Sequence, residues 1–149
     1  MTDKIINSMK TEFVAKSINE GYARTAVAAF AAQCDPSIGV IADIKTVVSE
    51  AVTNSIVHGY ADAEDKNQCF IYIQCRLTDK GRLTIKIKDK GKGIDDVKAA
   101  MQPLYTTDTD GERSGMGFTI MESFTDSIKV RSKKGKGTIV ILEKRLNGR

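Results

Sequence analysis

The sequence predicts an α+β domain: a two-layer sandwich whose mixed, mostly antiparallel sheet carries helices on one face. Three observations predict it. Segments of helical and of alternating period follow in the order β-α-α-β-β-loop-α-β-β, which is not the strict alternation of a doubly wound fold. Two pairs of alternating segments are joined by short glycine turns, Asp79-Lys80-Gly81 and KKGKG, the signature of hairpins. A long stretch, 37–60, has helical spacing, and its residues 38–58 contain no proline and one glycine.

The elements follow in order. NSMKTEFVAKS, at 7–17, alternates loosely and is read as the first strand. The alanine-rich stretch 21–33 reads as a helix. Asp35-Pro36-Ser37 stops it and starts the second helix, 37–60. A polar loop, 61–67, leads to a strand over 68–78. RLTIKIKD is its hairpin partner, with Leu83, Ile85 and Ile87 pointing one way. Residues 95–101 suit a short helix. Residues 103–115 are irregular and too long for a simple connector, which marks a functional loop. A helix over 117–124 and a last hairpin, SIKVRS with TIVILEKR, close the chain.

Composition narrows the class. With 149 residues, 41% hydrophobic and 28% charged, residues 1–149 suit one domain large enough for a core. No apolar run approaches the ~18 residues of a membrane span, and MTDKIINSMK lacks the apolar centre of a signal peptide. A cytoplasmic chain without membrane contact is expected. Cys34, Cys69 and Cys75 are odd in number and form no CxxC, so they read as reduced thiols in or near the core. His58 is the single histidine, which argues against a Cys/His metal site. The net charge of +4 is scattered among acids. RSKKGK at 131–136 reads as a turn between strands, so no direct nucleic-acid contact is expected.

Three clusters carry candidate chemistry. On the second helix, Ile44, Val48, Ala51 and Ser55 form a stripe to bury. Glu50 and Asn54, one turn apart, share a different face about 40° wide. A carboxylate with a carboxamide suits a hard cation such as Mg²⁺, or a reacting hydroxyl; taken alone, the pair reads as a solvated polar face. Asp89-Lys90-Gly91-Lys92-Gly93 follows a strand. Its carboxylate suits a base amino group, and its glycines let a ligand touch backbone; alone it is a glycine-rich turn. Gly115-Met116-Gly117-Phe118 opens a helix whose N–H groups suit phosphate, with Arg113 upstream as a fork of donors. It is neither GxxxxGK[ST] nor GxGxxG. His58, Met101, Met116 and Met121 are read as structural, and Tyr105 as a lid hinge or surface aromatic.

In this order, ExxxN, DxGxG and GxGF match the metal, base and phosphates of Mg²⁺-ATP. The arrangement resembles the ATP-binding fold shared by gyrase, heat-shock chaperones, histidine kinases and mismatch-repair ATPases, over nearly the whole chain. NEGYARTAVAAFAAQCDPS, IKTVVSEAVTNSIVHGY and PLYTTDTDGERSGMGFTIMESF resemble its branch of small serine kinases that hold a sporulation sigma factor inactive. That resemblance implies Asn54 on Mg²⁺ and Glu50 orienting or deprotonating the attacking hydroxyl. It implies Asp89 on the adenine amino group, assisted by Thr138, with Gly91 and Gly93 shaping the base pocket. Thr106, Thr107, Arg113, Gly115, Met116, Gly117 and Phe118 belong by the same resemblance to a lid and its phosphate contacts, Arg113 meeting the γ-phosphate. Arg24 matches a partner-docking arginine. The implied partners are a sigma factor and an anti-anti-sigma protein carrying the substrate serine, with the chain as a homodimer. The alternative is a stand-alone catalytic domain of a histidine kinase acting on a separate phosphoacceptor.

Overall fold

The computed structural model describes residues 3–101 and 117–146. Its elements are β1 (Ile5–Val14), α1 (Asn19–Ala31), α2 (Ile38–Asn54), β2 (Phe70–Thr78), β3 (Arg82–Asp89), α3 (Val97–Ala100), α4 (Gly117–Ser123), β4 (Ser127–Lys133) and β5 (Gly137–Arg145). The strands form one sheet in the order β1-β2-β3-β5-β4. Every described pairing is antiparallel, which is the antiparallel side of the expected mixed sheet.

Period-two patterning decides which face of the sheet is covered. Ile71, Ile73, Cys75 and Leu77 of β2, Leu83, Ile85 and Ile87 of β3, and Val140 and Leu142 of β5 are buried. Their alternate neighbours, such as Tyr72, Gln74, Lys86 and Lys88, stay partly exposed on the other face. The stripe of α2 closes the core as expected. Ile44, Val47, Val48 and Val52 are fully buried, with Ala51 beside them. Met121 of α4 fills the same cluster, as do Val27 and Ala31 of α1. Cys69 and Cys75 are buried and Cys34 half-buried, all as free thiols. Burial pushes the Cys75 thiol up to about 12, so it is inert packing.

The breaks between elements have local causes. Asp35 takes a left-handed conformation, φ 50°, ahead of Pro36. The Ser37 hydroxyl then caps α2 by accepting from the Val40 N–H at 3.2 Å. The strand expected at 68–78 begins at Phe70, because Asp65 caps a short 3₁₀ turn over Lys66–Gln68.

One expectation needs correction. The second helix does not run unbroken to residue 60: its α-helical part ends at Asn54, and Ser55–Gly59 widens into a π-helical turn. The Tyr60 N–H reaches back five residues to the Ser55 carbonyl, at 2.9 Å. Two long-range bonds hold that wide turn. The Ser55 hydroxyl donates to Asp89, and the Gly59 carbonyl accepts from the Lys92 N–H, each at 2.8 Å. Such turns occur often at functional sites.

Candidate functional site

The site is built at one end of the sheet, where α2 stops. Glu50 and Asn54 are both half-buried on α2, outside its fully buried stripe. No hydrogen bond or ion pair ties Glu50 to another described residue, so its carboxylate is available for a ligand. Gly117, the first residue of α4, lies against Asn54. A Cβ added there would stand 3.1 Å from Asn54 Nδ2 and 3.2 Å from Oδ1. The first and third sequence clusters therefore meet, with backbone at the start of α4 against the carboxamide.

The second cluster lies on the other side of the π turn. Asp89 ends β3 and is 4% exposed. Its Oδ2 accepts from Ser55 Oγ at 2.8 Å and its Oδ1 from the Gly91 N–H at 2.9 Å. Burial nevertheless holds this carboxyl above its ordinary range, opposed by those two donors and the Thr138 backbone N–H. Thr138 is the register partner of Asp89 across β3 and β5, and is itself buried.

Glycine is required here by close approach. A Cβ on Gly91 would collide with the Gly59 carbonyl. Gly93 has φ +78°, and a Cβ there would collide with the Lys133 carbonyl of the β4–β5 hairpin. Tyr60 braces the junction. Its buried hydroxyl donates to the Phe70 carbonyl at 2.6 Å and accepts from the Lys90 N–H at 2.7 Å. Burial is the main reason its phenol sits above its usual range. The Tyr60 carbonyl accepts from Lys66 Nζ.

An acceptor-only carboxylate behind close-packed glycines suits a ligand amino group. A free carboxylate and a carboxamide beside a helix start suit a metal-bound polyphosphate and a reacting hydroxyl. Residues 13–144 match the histidine kinase-like ATPase domain family. The chain is 56% identical over 141 residues to the anti-sigma F factor of Clostridium botulinum, covering 95% of this chain and 96% of that protein. It is 55% identical over 140 residues to the anti-sigma F factor of Clostridium novyi, covering 94% and 95%. The chain belongs to the anti-sigma F factor family. Its fold also matches part of the crystal structure of the RsbU and RsbW domains of Rv1364c from Mycobacterium tuberculosis. That match has a TM-score of 0.69 and 20% identity, and covers 94% of this chain and 32% of that one. At such identity the likeness concerns the fold alone.

The structure brings together Glu50, Asn54 and Gly117 at one side of the π turn, and Asp89, Gly91, Gly93 and Thr138 at the other. Phe118, next to Gly117 on α4, packs against the core. Arg24 is not in this group. It stands half-exposed on α1, 3.9 Å from Glu20, whose other oxygen accepts from Thr53 Oγ1 at 2.8 Å. Thr53 precedes Asn54, so the α1 surface is tied to the helix that carries the candidate site. Thr106, Thr107, Arg113, Gly115 and Met116 lie outside the described residues.

Sequence reasoning missed Ser55, Gly59 and Tyr60 as parts of the site. Ser55 counted only as a member of the buried stripe. A hydroxyl in an otherwise apolar stripe was the available signal, because a buried hydroxyl needs a partner.

Proposed function

We propose that this chain binds Mg²⁺-ATP between α2, the Asp89 corner and α4, and transfers the γ-phosphoryl group to a serine of an anti-anti-sigma protein. In the same reading it holds the sporulation sigma factor, sigma-F, inactive as a cytoplasmic homodimer. The observation that carries the reading is the meeting of Gly117 with Asn54, one helical turn from Glu50, which has no hydrogen-bond or ion-pair partner among the described residues. It supplies an oxygen donor, an anion-favouring helix start and a free carboxylate in one place.

The division of labour follows from the chemistry of phosphoryl transfer, which asks the protein for positioning and charge rather than covalent help. Asp89 accepts from the adenine amino group. Gly91 and Gly93 let the base approach the backbone, and Thr138 lines the same pocket. Asn54 offers its carboxamide oxygen to Mg²⁺, a hard cation that prefers oxygen ligands; when bound, the ion neutralises phosphate charge. Thr106, Thr107, Gly115 and Met116 belong to the lid, with Gly117 and Phe118 offering α4 backbone N–H groups. In this reading Arg113 supplies positive charge to the γ-phosphate.

Glu50 orients the serine hydroxyl and takes its proton. The serine oxygen forms a bond to the γ-phosphorus, the bond to the bridging β–γ oxygen breaks, and ADP departs. Arg24 on α1 docks the protein partner. Comparing Glu50→Ala with the unaltered chain tests this assignment. ATP binding should persist while transfer falls roughly 10²–10⁴-fold, the scale of a positioned base. Transfer at the original rate removes Glu50 from the mechanism.

A further inference from the structure

At the site end of the sheet, three polar residues stand side by side across three strands. Asp89 of β3 is the register partner of Thr138 of β5, and Thr138 is the register partner of Ser132 of β4. The next row on the same face is apolar: Ile87, Val140 and Val130. The polar row is therefore a local feature of the pocket end.

Counting hydrogens gives one wiring of this row that satisfies every contact. Ser132 Oγ accepts from the Ile94 N–H at 2.7 Å and donates to the Gly137 carbonyl at 3.0 Å. A carbonyl has no hydrogen to give, so the single Ser132 hydrogen is used there. With that hydrogen on the Gly137 carbonyl, the remaining contact, 2.8 Å to Thr138 Oγ1, is made with the Thr138 hydrogen; the opposite donor assignment fits the same oxygen positions, and the titrations below separate the two. Thr138 is left with lone pairs only. Asp89, ionised, also presents lone pairs only. In this wiring Asp89 and Thr138 offer acceptors and no hydrogen.

We infer that Ser132 is a specificity-determining positioning residue: by taking the Thr138 hydrogen, it makes the base pocket a rim of acceptors that selects a 6-amino purine over a 6-oxo purine. An amino group brings two hydrogens to such a rim. A 6-oxo group brings an oxygen to face oxygens, with no donor between them. Without the Ser132 hydroxyl, the Thr138 hydrogen is free to turn outward and meet a 6-oxo group. Ser132 does this without touching the nucleotide. The inference rests on the base-pocket reading given above.

The test is equilibrium titration with Mg²⁺-ATP and Mg²⁺-ITP, which differ in the group at position 6 and in the hydrogen that the 6-oxo form carries on N1. The unaltered chain prefers ATP. Ser132→Ala narrows that preference roughly fivefold, about one neutral hydrogen bond, while Ser132→Thr keeps it. In a Thr138→Val background, Ser132→Ala no longer changes the ratio. Ser132→Cys, which keeps the shape and weakens the hydrogen bonds, narrows the ratio too and serves if the alanine variant melts early. Equal weakening of both nucleotides, with the ratio kept, makes Ser132 a structural brace and overturns the inference. Asp89→Asn separates the two levels of the argument. If it leaves the ATP-to-ITP ratio unchanged, the base-pocket reading itself falls, and the role of Ser132 falls with it.

Discussion

Gly117 and Asn54 meet across the junction of α4 and α2, so closely that a Cβ at position 117 would stand 3.1 Å from the Asn54 carboxamide. That contact joins two sequence clusters about sixty residues apart. It also makes position 117 sensitive in a particular way, because the obstructing atoms are the end of a side chain and not backbone. Gly117→Ala is expected to fold, to displace the Asn54 carboxamide, and to weaken Mg²⁺-ATP by about 1 kcal/mol, the low end for overpacking. Gly91→Ala meets the backbone of Gly59 instead and should lose about 3 kcal/mol of stability. Thermal melts beside ATP titrations check both, and equal melting losses at the two positions would contradict the distinction.

Asp89 carries a stability signature with a definite sign. Burial holds its folded carboxyl above the ordinary range. Between the unfolded and folded values, the folded state therefore binds more protons. Its contribution to stability improves as pH falls through the folded value and levels off below the unfolded one. Asp89→Asn removes that pH dependence, so the parent's unfolding free energy should rise relative to the variant's as pH falls from 7 toward 4. ATP affinity at neutral pH should drop by about 1.5–3 kcal/mol, the scale of a hydrogen bond to a charged group. A pH-independent difference in unfolding free energy would show that the carboxyl is not perturbed by burial.

Tyr60 tests the bracing of the glycine corner. Tyr60→Phe keeps the buried ring and leaves the Lys90 N–H and the Phe70 carbonyl without their partner. The expected cost is about 2–3 kcal/mol, a melting decrease of roughly 5–10 °C for a domain of this size. ATP affinity should fall alongside, because Lys90 adjoins Asp89. A melting curve that overlays the parent's would remove Tyr60 from the account.

Arg24 tests the separation of partner and nucleotide surfaces. Its ion pair with Glu20 is long and half-exposed, so it adds little stability. Arg24→Ala should lower partner binding in a pull-down or titration and leave ATP affinity within about twofold, since the Glu20–Thr53 bond does not need it. Parallel loss of both activities would instead mean that α1 has shifted.

The sheet and its helix-covered face were legible because period-two patterning in QCFIYIQCRLT and RLTIKIKD is strong and turn chemistry marks both hairpins. The stripe Ile44, Val48, Ala51, Ser55 was legible for the same kind of reason. Periodicity could not show that α2 widens after Asn54, because Ser55–Gly59 keeps helical spacing while its hydrogen bonding is set by Asp89 and Lys92, more than thirty residues away. The requirement for glycine at 91 could be read as turn chemistry, but its cause is the Gly59 carbonyl, a tertiary contact. Register explains the pairing of Asp89 with Thr138, and register is fixed only when β5 inserts beside β3. Local pattern carried the elements, and tertiary bonds carried the site.

The most direct measurement uses ATP labelled on its γ-phosphate, incubated with this chain and a serine-bearing anti-anti-sigma protein. Acid-stable label on the antagonist, and none on this chain, is the predicted result. Acid-labile label on a histidine of either protein, or no transfer while ATP is bound, would contradict the account.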